Sequence, residues 1–282
     1  MLRGLAVAVC LGAMLWLLGC SAIPWGAPMD SGSPPSFPVD SYMTRIQRRG
    51  QLVVGVKYDT PPFGSLNPRT NQVEGFDADL GRELARVLFG DPEKARFVEA
   101  LSADRIPFLQ DDQVDVVLST MTITDERRQA IDFSEPYYVA GQSILVRRGS
   151  PIRDVDDLNG RTVATGQSST SARTLRKQAP RATQLLFPSY GEALAALKDR
   201  RADAVSTDDT ILMGMVLRDP DLEMVGGAFT LEPYGAGLKK GRPELVAFVN
   251  QVFDQLKANG RWTELYKEHI APLSGFVPEP PR

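Results

Sequence analysis

Apolar residues along the chain follow two alternating rhythms. Short runs rich in Val, Ile and Leu have the length of buried strands, whereas Phe76, Leu80, Leu84 and Val87 recur at the spacing of one helix face. A second helical stripe spans 190–198. The predicted strands lie at 51–56, 95–99, 114–119, 162–165, 184–187, 202–206 and 222–225. This β-α-β alternation predicts an α/β fold whose mainly parallel sheets carry helices on both faces.

One stretch of sequence occurs twice. Residues 109–120 and 197–208 share the pattern Leu-x-Asp-x-x-small-Asp-small-Val at an offset of 88 residues. A common helix-to-strand turn explains the pattern, and so does a chain with two α/β lobes of similar design. Open α/β sheets bind ligands beyond the carboxyl ends of their strands. Two lobes would therefore place Thr120 and Asp208 at matching strand ends, facing each other across a cleft.

The N-terminal 1–20 segment has the pattern of a targeting signal. Arg3 precedes an apolar run from Leu5 to Leu18, which is short for a membrane span and typical of a signal peptide. The run ends in Leu-Leu-Gly-Cys20, which resembles the lipobox of bacterial lipoproteins, where the cysteine carries the lipid. The alternative is a plain secretory signal with a chance cysteine. The proline- and serine-rich 21–41 segment is predicted to be a flexible tether.

The composition narrows the chemistry. Acidic and basic side chains number 35 and 32, so the chain has no electrostatic footprint for nucleic acid. His269 is the single histidine and the chain has two cysteines, which removes most metal sites and Cys/His nucleophiles. We therefore predict no metal and no cofactor. The sequence also lacks a GxxxxGK[ST] phosphate loop.

Four motifs follow one another over roughly 42–270. The most specific is Thr122-Ile-Thr-Asp-Glu-Arg127, followed by Ile131-Asp-Phe-Ser-Glu-Pro-Tyr-Tyr138. The others are Val54-Gly-Val-Lys-Tyr-Asp-Thr-Pro-Pro-Phe63 with Gly75-Phe-Asp-Ala-Asp-Leu80, Ala202-Asp-Ala-Val205 with Asp208, and Glu232-Pro-Tyr-Gly-Ala-Gly237 with Lys239-Lys-Gly241. In this order, the four motifs resemble those of the polar amino-acid family of extracytoplasmic solute-binding proteins, the receptors of ABC importers.

The resemblance implies a two-lobed periplasmic-binding-protein-like fold of type II. Each lobe would be a mainly parallel sheet flanked by helices, and two hinge strands would join the lobes. The implied bounds are 42–141 plus 235–275 for lobe 1, 142–234 for lobe 2, hinges near 141–146 and 232–239, and a tail at 276–282.

The implied function is capture of a polar amino acid by hinge closure. The receptor would be a monomer, lipid-anchored at Cys20 on the extracytoplasmic face of the cell membrane. It would deliver its ligand to an ABC permease, whose partner ATPase supplies the energy. A sensor that signals to a membrane partner has the same ligand chemistry and stays open as an alternative. An enzyme on this fold is disfavoured because no strong catalytic pair stands out.

The resemblance also implies which residues bind the common part of an amino acid. A buried carboxylate needs charged donors, and the planar guanidinium of Arg127 suits bidentate contact. A solvated arginine at a helix start, or threonines and serines that merely cap helices, are the alternatives. The ligand α-carboxylate is assigned to Arg127, Thr122, Ser169 and Thr170, and the α-ammonium to Asp208 and Thr120.

The ligand side chain is assigned to Arg105 and Lys57. Once Arg127 and Asp208 neutralise the zwitterion, these two leave a surplus of positive charge. The expected ligand is therefore glutamate or aspartate, with glutamine or asparagine as the alternative. Exposed positions at a helix start and a strand end are the bland interpretation of both residues. The aromatic side chains that line either the cleft or the core are Tyr58, Phe63 and Tyr234.

Overall fold

A computed structural model describes residues 34–282. The predicted signal segment, the lipid attachment at Cys20 and most of the tether lie outside the described residues. Among the described residues no helix has both the length and the apolar character needed to cross a membrane. The helices are α1 (Tyr42–Arg49), α2 (Phe76–Phe89), α3 (Arg105–Gln110), α4 (Asp125–Ala130), α5 (Thr170–Gln178), α6 (Tyr190–Lys198), α7 (Asp209–Val216), α8 (Pro243–Ala258), α9 (Arg261–His269) and α10 (Ala271–Ser274).

The described strands form four sheets. The first part of the chain contains β1 (Leu52–Val56), β2 (Asp59–Thr60), β3 (Gly64–Asn67), β4 (Gln72–Glu74), β5 (Ala95–Glu99), β6 (Val116–Val117), β7 (Ile131–Phe133) and β8 (Tyr138–Ala140). The second part contains β9 (Gln142–Arg147), β10 (Thr162–Gly166), β11 (Thr183–Phe187), β12 (Ala204–Asp208), β13 (Leu222–Val225), β14 (Glu232–Tyr234) and β15 (Gly237–Lys239).

Two five-stranded sheets form the framework. Sheet A has the order β5-β1-β6-β15-β7, and sheet B has the order β11-β10-β12-β9-β13. In sheet A only β15 runs against the other four strands, and in sheet B only β9 does. We call the part of the chain built on sheet A lobe 1 and the part built on sheet B lobe 2. The small three-stranded sheet β2-β3-β4 packs against α2 and belongs to lobe 1. The predicted two-lobed α/β architecture with mainly parallel sheets is confirmed.

The sequence repeat is a repeat of structure. Strand β6 pairs with β1 through Val54 and Val116, and β12 pairs with β10 through Val163 and Ala204. The two repeated strands therefore occupy the same third place in the two sheets. Each lobe also has a hydrophobic core of its own, around Leu109 and Val117 in lobe 1 and around Ile144 and Val163 in lobe 2.

Two short strands join the lobes. Strand β8 pairs antiparallel with β14 and forms a separate two-stranded sheet. The chain enters the reversed strand β9 of sheet B directly after β8, and it enters the reversed strand β15 of sheet A soon after β14. Most of the predicted 141–146 hinge segment thus lies inside sheet B, and the paired crossing is at β8 and β14. The exact predicted bounds of the lobes stay a prediction.

Candidate functional site

The sequence-predicted residues converge on the facing edges of the two lobes. Lys57 follows β1, and Thr120 lies just beyond β6 with a left-handed backbone (φ 45). Asp208 ends β12 in lobe 2, and helix α5 begins at Thr170 after the end of β10. These side chains are buried or half-buried. Thr120 and Asp208 therefore lie at matching strand ends of the two sheets, as the repeat predicts.

One end of the site is arranged for an anion. Arg127 is 6% exposed, and its guanidinium donates to the carbonyl of Thr122 at 2.6 Å and to that of Ser168, across the cleft, at 3.5 Å. The hydroxyl oxygens of Thr122 and Thr170 are 3.4 Å apart. Burial lowers the pKa of Arg127, and the carboxylates of Glu232 and Asp208 oppose that shift. A cation, a hydroxyl pair and the positive end of helix α5 meet here.

Two hydroxyl groups near the site cap helices and therefore serve local structure. Thr124, and not Thr120 or Thr122, caps α4 by accepting a hydrogen bond from the Arg127 amide. The Ser169 hydroxyl caps α5 through the Ala172 amide and donates to the Gly166 carbonyl at 2.6 Å. Because this hydroxyl already accepts one hydrogen bond and donates another, Ser169 orders the start of α5 and has no free donor for a ligand.

The opposite end carries an under-satisfied acid. Asp208 is 4% exposed, and its Oδ2 accepts a hydrogen bond from the Tyr234 hydroxyl. Its buried Oδ1 has no hydrogen-bond partner among the described residues. Burial, with repulsion from Glu232, raises the pKa of Asp208 to about 7. A cationic group of a ligand would supply the missing partner and favour the ionised carboxylate.

A buried lysine lies at the third corner. Lys57 Nζ donates to Thr120 Oγ1 at 2.7 Å and lies 5.0 Å from the ring centroid of Tyr190 in the other lobe. Burial and the nearby Arg105 lower the pKa of Lys57 to about 7. Asp77 accepts a hydrogen bond from the Thr120 amide at 2.8 Å. It thereby fixes the residue whose hydroxyl Lys57 contacts.

Arg105 is buried in the same region but is largely occupied. It donates to the carbonyls of Ser119 at 2.9 Å and Thr120 at 3.0 Å, and from Nε to that of Ser102 at 3.3 Å. Burial lowers its pKa to about 9, with repulsion from Arg127 as the next cause. Only its second terminal nitrogen has no acceptor among the described residues. Arg105 therefore mainly stabilises the segment after β6, through the carbonyls of Ser119 and Thr120.

Sequence reasoning missed three participants. Asp77 and Glu232 are buried acids, and Tyr190 is a buried phenol that covers Lys57. Asp77 stands in the Gly75-Phe-Asp motif and Glu232 in the hinge motif, so both stood among the quoted residues without a role. With them the buried cations Lys57, Arg105 and Arg127 are balanced by three buried carboxylates, those of Asp77, Asp208 and Glu232. The surplus of positive charge predicted from sequence disappears.

One potential metal-ligand group lies elsewhere. Among residues 34–282, Asp79, Glu268 and His269 bring ligand atoms within 4.8 Å of one another. Asp79 already interacts with Arg82 at 2.7 Å and with His269 Nε2 at 2.6 Å. This cluster is on lobe 1, in a surface depression beside Tyr58, and contributes nothing to the cleft.

Comparison with known proteins agrees with this geometry. Residues 52–272 match the model of bacterial extracellular solute-binding proteins, family 3. The ABC transporter glutamine-binding protein GlnH of Bacillus subtilis is 39% identical over 93% of this chain and 94% of its own. A glutamine-binding protein of Geobacillus stearothermophilus is 43% identical over 79% of this chain and 87% of its own.

A solved structure extends the comparison to three dimensions. An ancestral arginine-binding protein bound to glutamine superposes with a TM-score of 0.74 at 36% identity. The match covers 78% of this chain and 97% of that protein. The family match at residues 52–272 spans sheets of both lobes and both hinge strands.

Proposed function

Because the chain belongs to the bacterial extracellular solute-binding proteins of family 3, we propose that it is the amino-acid receptor of an ABC importer and that its preferred ligand is L-glutamine. The observation that carries the choice of ligand is the balance of buried charge in the cleft. The similarity to two glutamine-binding proteins supports the same choice. Glutamate and aspartate, which the sequence-level charge count favoured, become the weaker ligands.

The common part of the amino acid accounts for two parts of the site, the Arg127 end and the Asp208 end. Its α-carboxylate pairs with Arg127, the Thr122 and Thr170 hydroxyls and the first amides of α5. Its α-ammonium meets the free Oδ1 of Asp208, with Thr120 nearby. Each charge of the zwitterion thereby gains a charged partner, which a buried ion requires.

The ligand side chain accounts for the third part of the site, around Lys57. A neutral carboxamide adds no charge to a site whose three cations and three carboxylates already cancel. Its carbonyl accepts from Lys57, and its amide donates to backbone or carboxylate oxygens. A glutamate side chain would leave one uncompensated negative charge among these groups. An uncompensated buried charge is strongly unfavourable, so glutamine is the better fit.

Closure follows from the division of the contacts. Arg127, Thr122 and Lys57 belong to lobe 1, whereas Asp208 and Thr170 belong to lobe 2. Only the closed arrangement satisfies both ends of the ligand, so the ligand shifts the population toward that state. The closed form is then the form that the permease engages. No chemical step is needed for this activity.

The ranking of ligands is the direct test. In a thermal-shift series at pH 7, L-glutamine is expected to raise the melting temperature most, because a ligand that binds only folded protein stabilises it by RT ln(1 + [L]/Kd). L-Glutamate is expected to bind at least about tenfold more weakly, equivalent to ~1.4 kcal/mol. L-Arginine serves as the cationic control. A larger shift with glutamate than with glutamine would contradict the charge argument.

We also propose that Cys20 carries a lipid that holds the receptor at the extracytoplasmic face of the membrane. The Leu-Leu-Gly-Cys20 pattern supports this. In cells that make the full chain, the Cys20→Ser variant is expected to lose incorporation of labelled fatty acid and to leave the membrane fraction. Cys10→Ser is the matched control, since Cys10 lies before the cut. Equal labelling of both variants would contradict the assignment.

A further inference from the structure

The N-terminus of helix α6 is capped from two sides. A helix leaves its first amide groups without partners inside the helix. Within lobe 2, Ser189 and Glu192 satisfy two of them through a reciprocal capping box. The remaining two, on Tyr190 and Gly191, donate to a single oxygen of Asp59 at 2.7 and 3.3 Å. Asp59 belongs to strand β2 of lobe 1, 131 residues away from Tyr190.

We infer that Asp59 is a closure latch, a lobe 1 carboxylate that caps α6 of lobe 2 when the cleft is shut and thereby holds the Tyr190 ring against Lys57. The inference rests on the proposed function only in that it needs a ligand whose capture closes the cleft. Asp59 acts through the Tyr190 ring and not by contact with the ligand, so it is a positioning residue.

The contact depends on closure because its two halves lie in different lobes. A carboxylate at a helix N-terminus gains charge-assisted hydrogen bonds and a favourable dipole interaction. Pro61, two residues after Asp59, packs against lobe 2 as well: a Cβ on Gly214 of α7 would lie 2.2 Å from the Pro61 carbonyl oxygen. Glycine at 214 therefore lets the β2 loop approach the lobe 2 helices closely.

The latch leads directly to the ligand side-chain corner. Tyr190 is the residue whose amide Asp59 holds, and its ring lies 5.0 Å from Lys57 Nζ. A Cβ on Gly166 would come within 3.1 Å of the Tyr190 ring, so glycine at 166 makes room for the ring at the end of β10. The ring is thus fixed between the end of a lobe 2 strand and a lobe 1 lysine. A cation over an aromatic face is stabilising when both are desolvated.

The test measures dissociation of L-[³H]glutamine from the full-length wild-type protein and from Asp59→Ala, Asp59→Asn and Glu192→Ala variants. Loss of the charge-assisted bonds in Asp59→Ala is expected to raise the dissociation rate about tenfold. The association rate and the melting temperature of the ligand-free protein are expected to stay at wild-type values. Asp59→Asn keeps an acceptor oxygen, so its dissociation rate is expected to lie between those of the wild-type protein and Asp59→Ala.

Glu192→Ala is the matched control, since Glu192 caps the same helix from within its own lobe. It removes the capping box and is expected to lower the ligand-free melting temperature and to leave the dissociation rate unchanged. An unchanged dissociation rate in Asp59→Ala, or a ligand-free melting temperature lowered as far as in Glu192→Ala, overturns the latch. If wild-type protein does not bind glutamine, the proposed ligand fails instead. The same variants are then measured with whichever labelled amino acid gives the largest thermal shift.

Discussion

Replacing Arg127 by alanine is expected to abolish binding of every amino acid. The change removes the charged partner of a buried carboxylate, which costs about 3–5 kcal/mol, or roughly two to three and a half orders of magnitude in affinity. The α-carboxylate is common to all amino acids, so the loss is expected to be independent of the side chain. Isothermal titration with glutamine and glutamate measures it.

The neighbouring residue provides the control. Arg128 is exposed and lies over the ring of Phe133 at 5.9 Å, outside the cleft. Arg128→Ala is expected to bind like wild type. Because Arg127 also donates to the Thr122 carbonyl, the ligand-free melting temperature of each variant should be recorded. Retained glutamine affinity in a folded Arg127→Ala protein would refute the assignment of the carboxylate corner.

The Asp208→Asn variant is expected to lose ligand binding by a similar amount while the ligand-free protein becomes more stable near neutral pH. Asp208 has a raised pKa, about 7, because its carboxylate is buried. An acid whose pKa is higher in the folded state binds more protons there than in the unfolded chain, so its contribution to stability falls as the pH rises from about 4 toward 7. Asparagine removes that penalty, and it removes the negative charge that holds the ligand ammonium.

Unfolding by denaturant at pH 5 and pH 7.5, with and without glutamine, measures both effects. The control is Asp209→Asn. The Asp209 carboxylate accepts from the amides of Gly141 and Thr210 and so supports the crossing between the lobes. Asp209→Asn keeps the acceptor oxygen for these two amides and is expected to bind ligand like the wild-type protein. Loss of binding in this variant, with binding retained in Asp208→Asn, would show that the ammonium partner was placed one residue too early.

Long periodic elements of the fold were predictable from sequence. Helix α2, helix α6 and strand β5 lie where the apolar spacing predicts them. The hinge strands β8 and β14 have three residues each and together form a two-stranded sheet. Segments this short carry no periodicity, and their pairing is set by the arrangement of the two lobes. Only the family resemblance pointed to that region.

The candidate site was predictable in its members but not in its balance of charge. Arg127 and Asp208 stand out because they occupy motif positions that the family resemblance assigns to the ligand. Asp77 appears in sequence as one acid in the first turn of an amphipathic helix, where exposure is the ordinary outcome. Its burial depends on the fold around Thr120, which sequence alone does not give. Likewise, the packing that places Tyr190 beside Lys57 arises between residues far apart in the chain.

The late arrival of strand β15 imposes an order on biosynthesis. It lies between β6 and β7, yet it is made only after every strand of sheet B. A nascent chain that stops before residue 237 can complete sheet B but leaves the facing edges of β6 and β7 unpaired, and such open edges invite aggregation. Premature termination after β13 but before β15, at residues 226–236, therefore yields a half-folded product that chaperones and proteases can recognise by that gap.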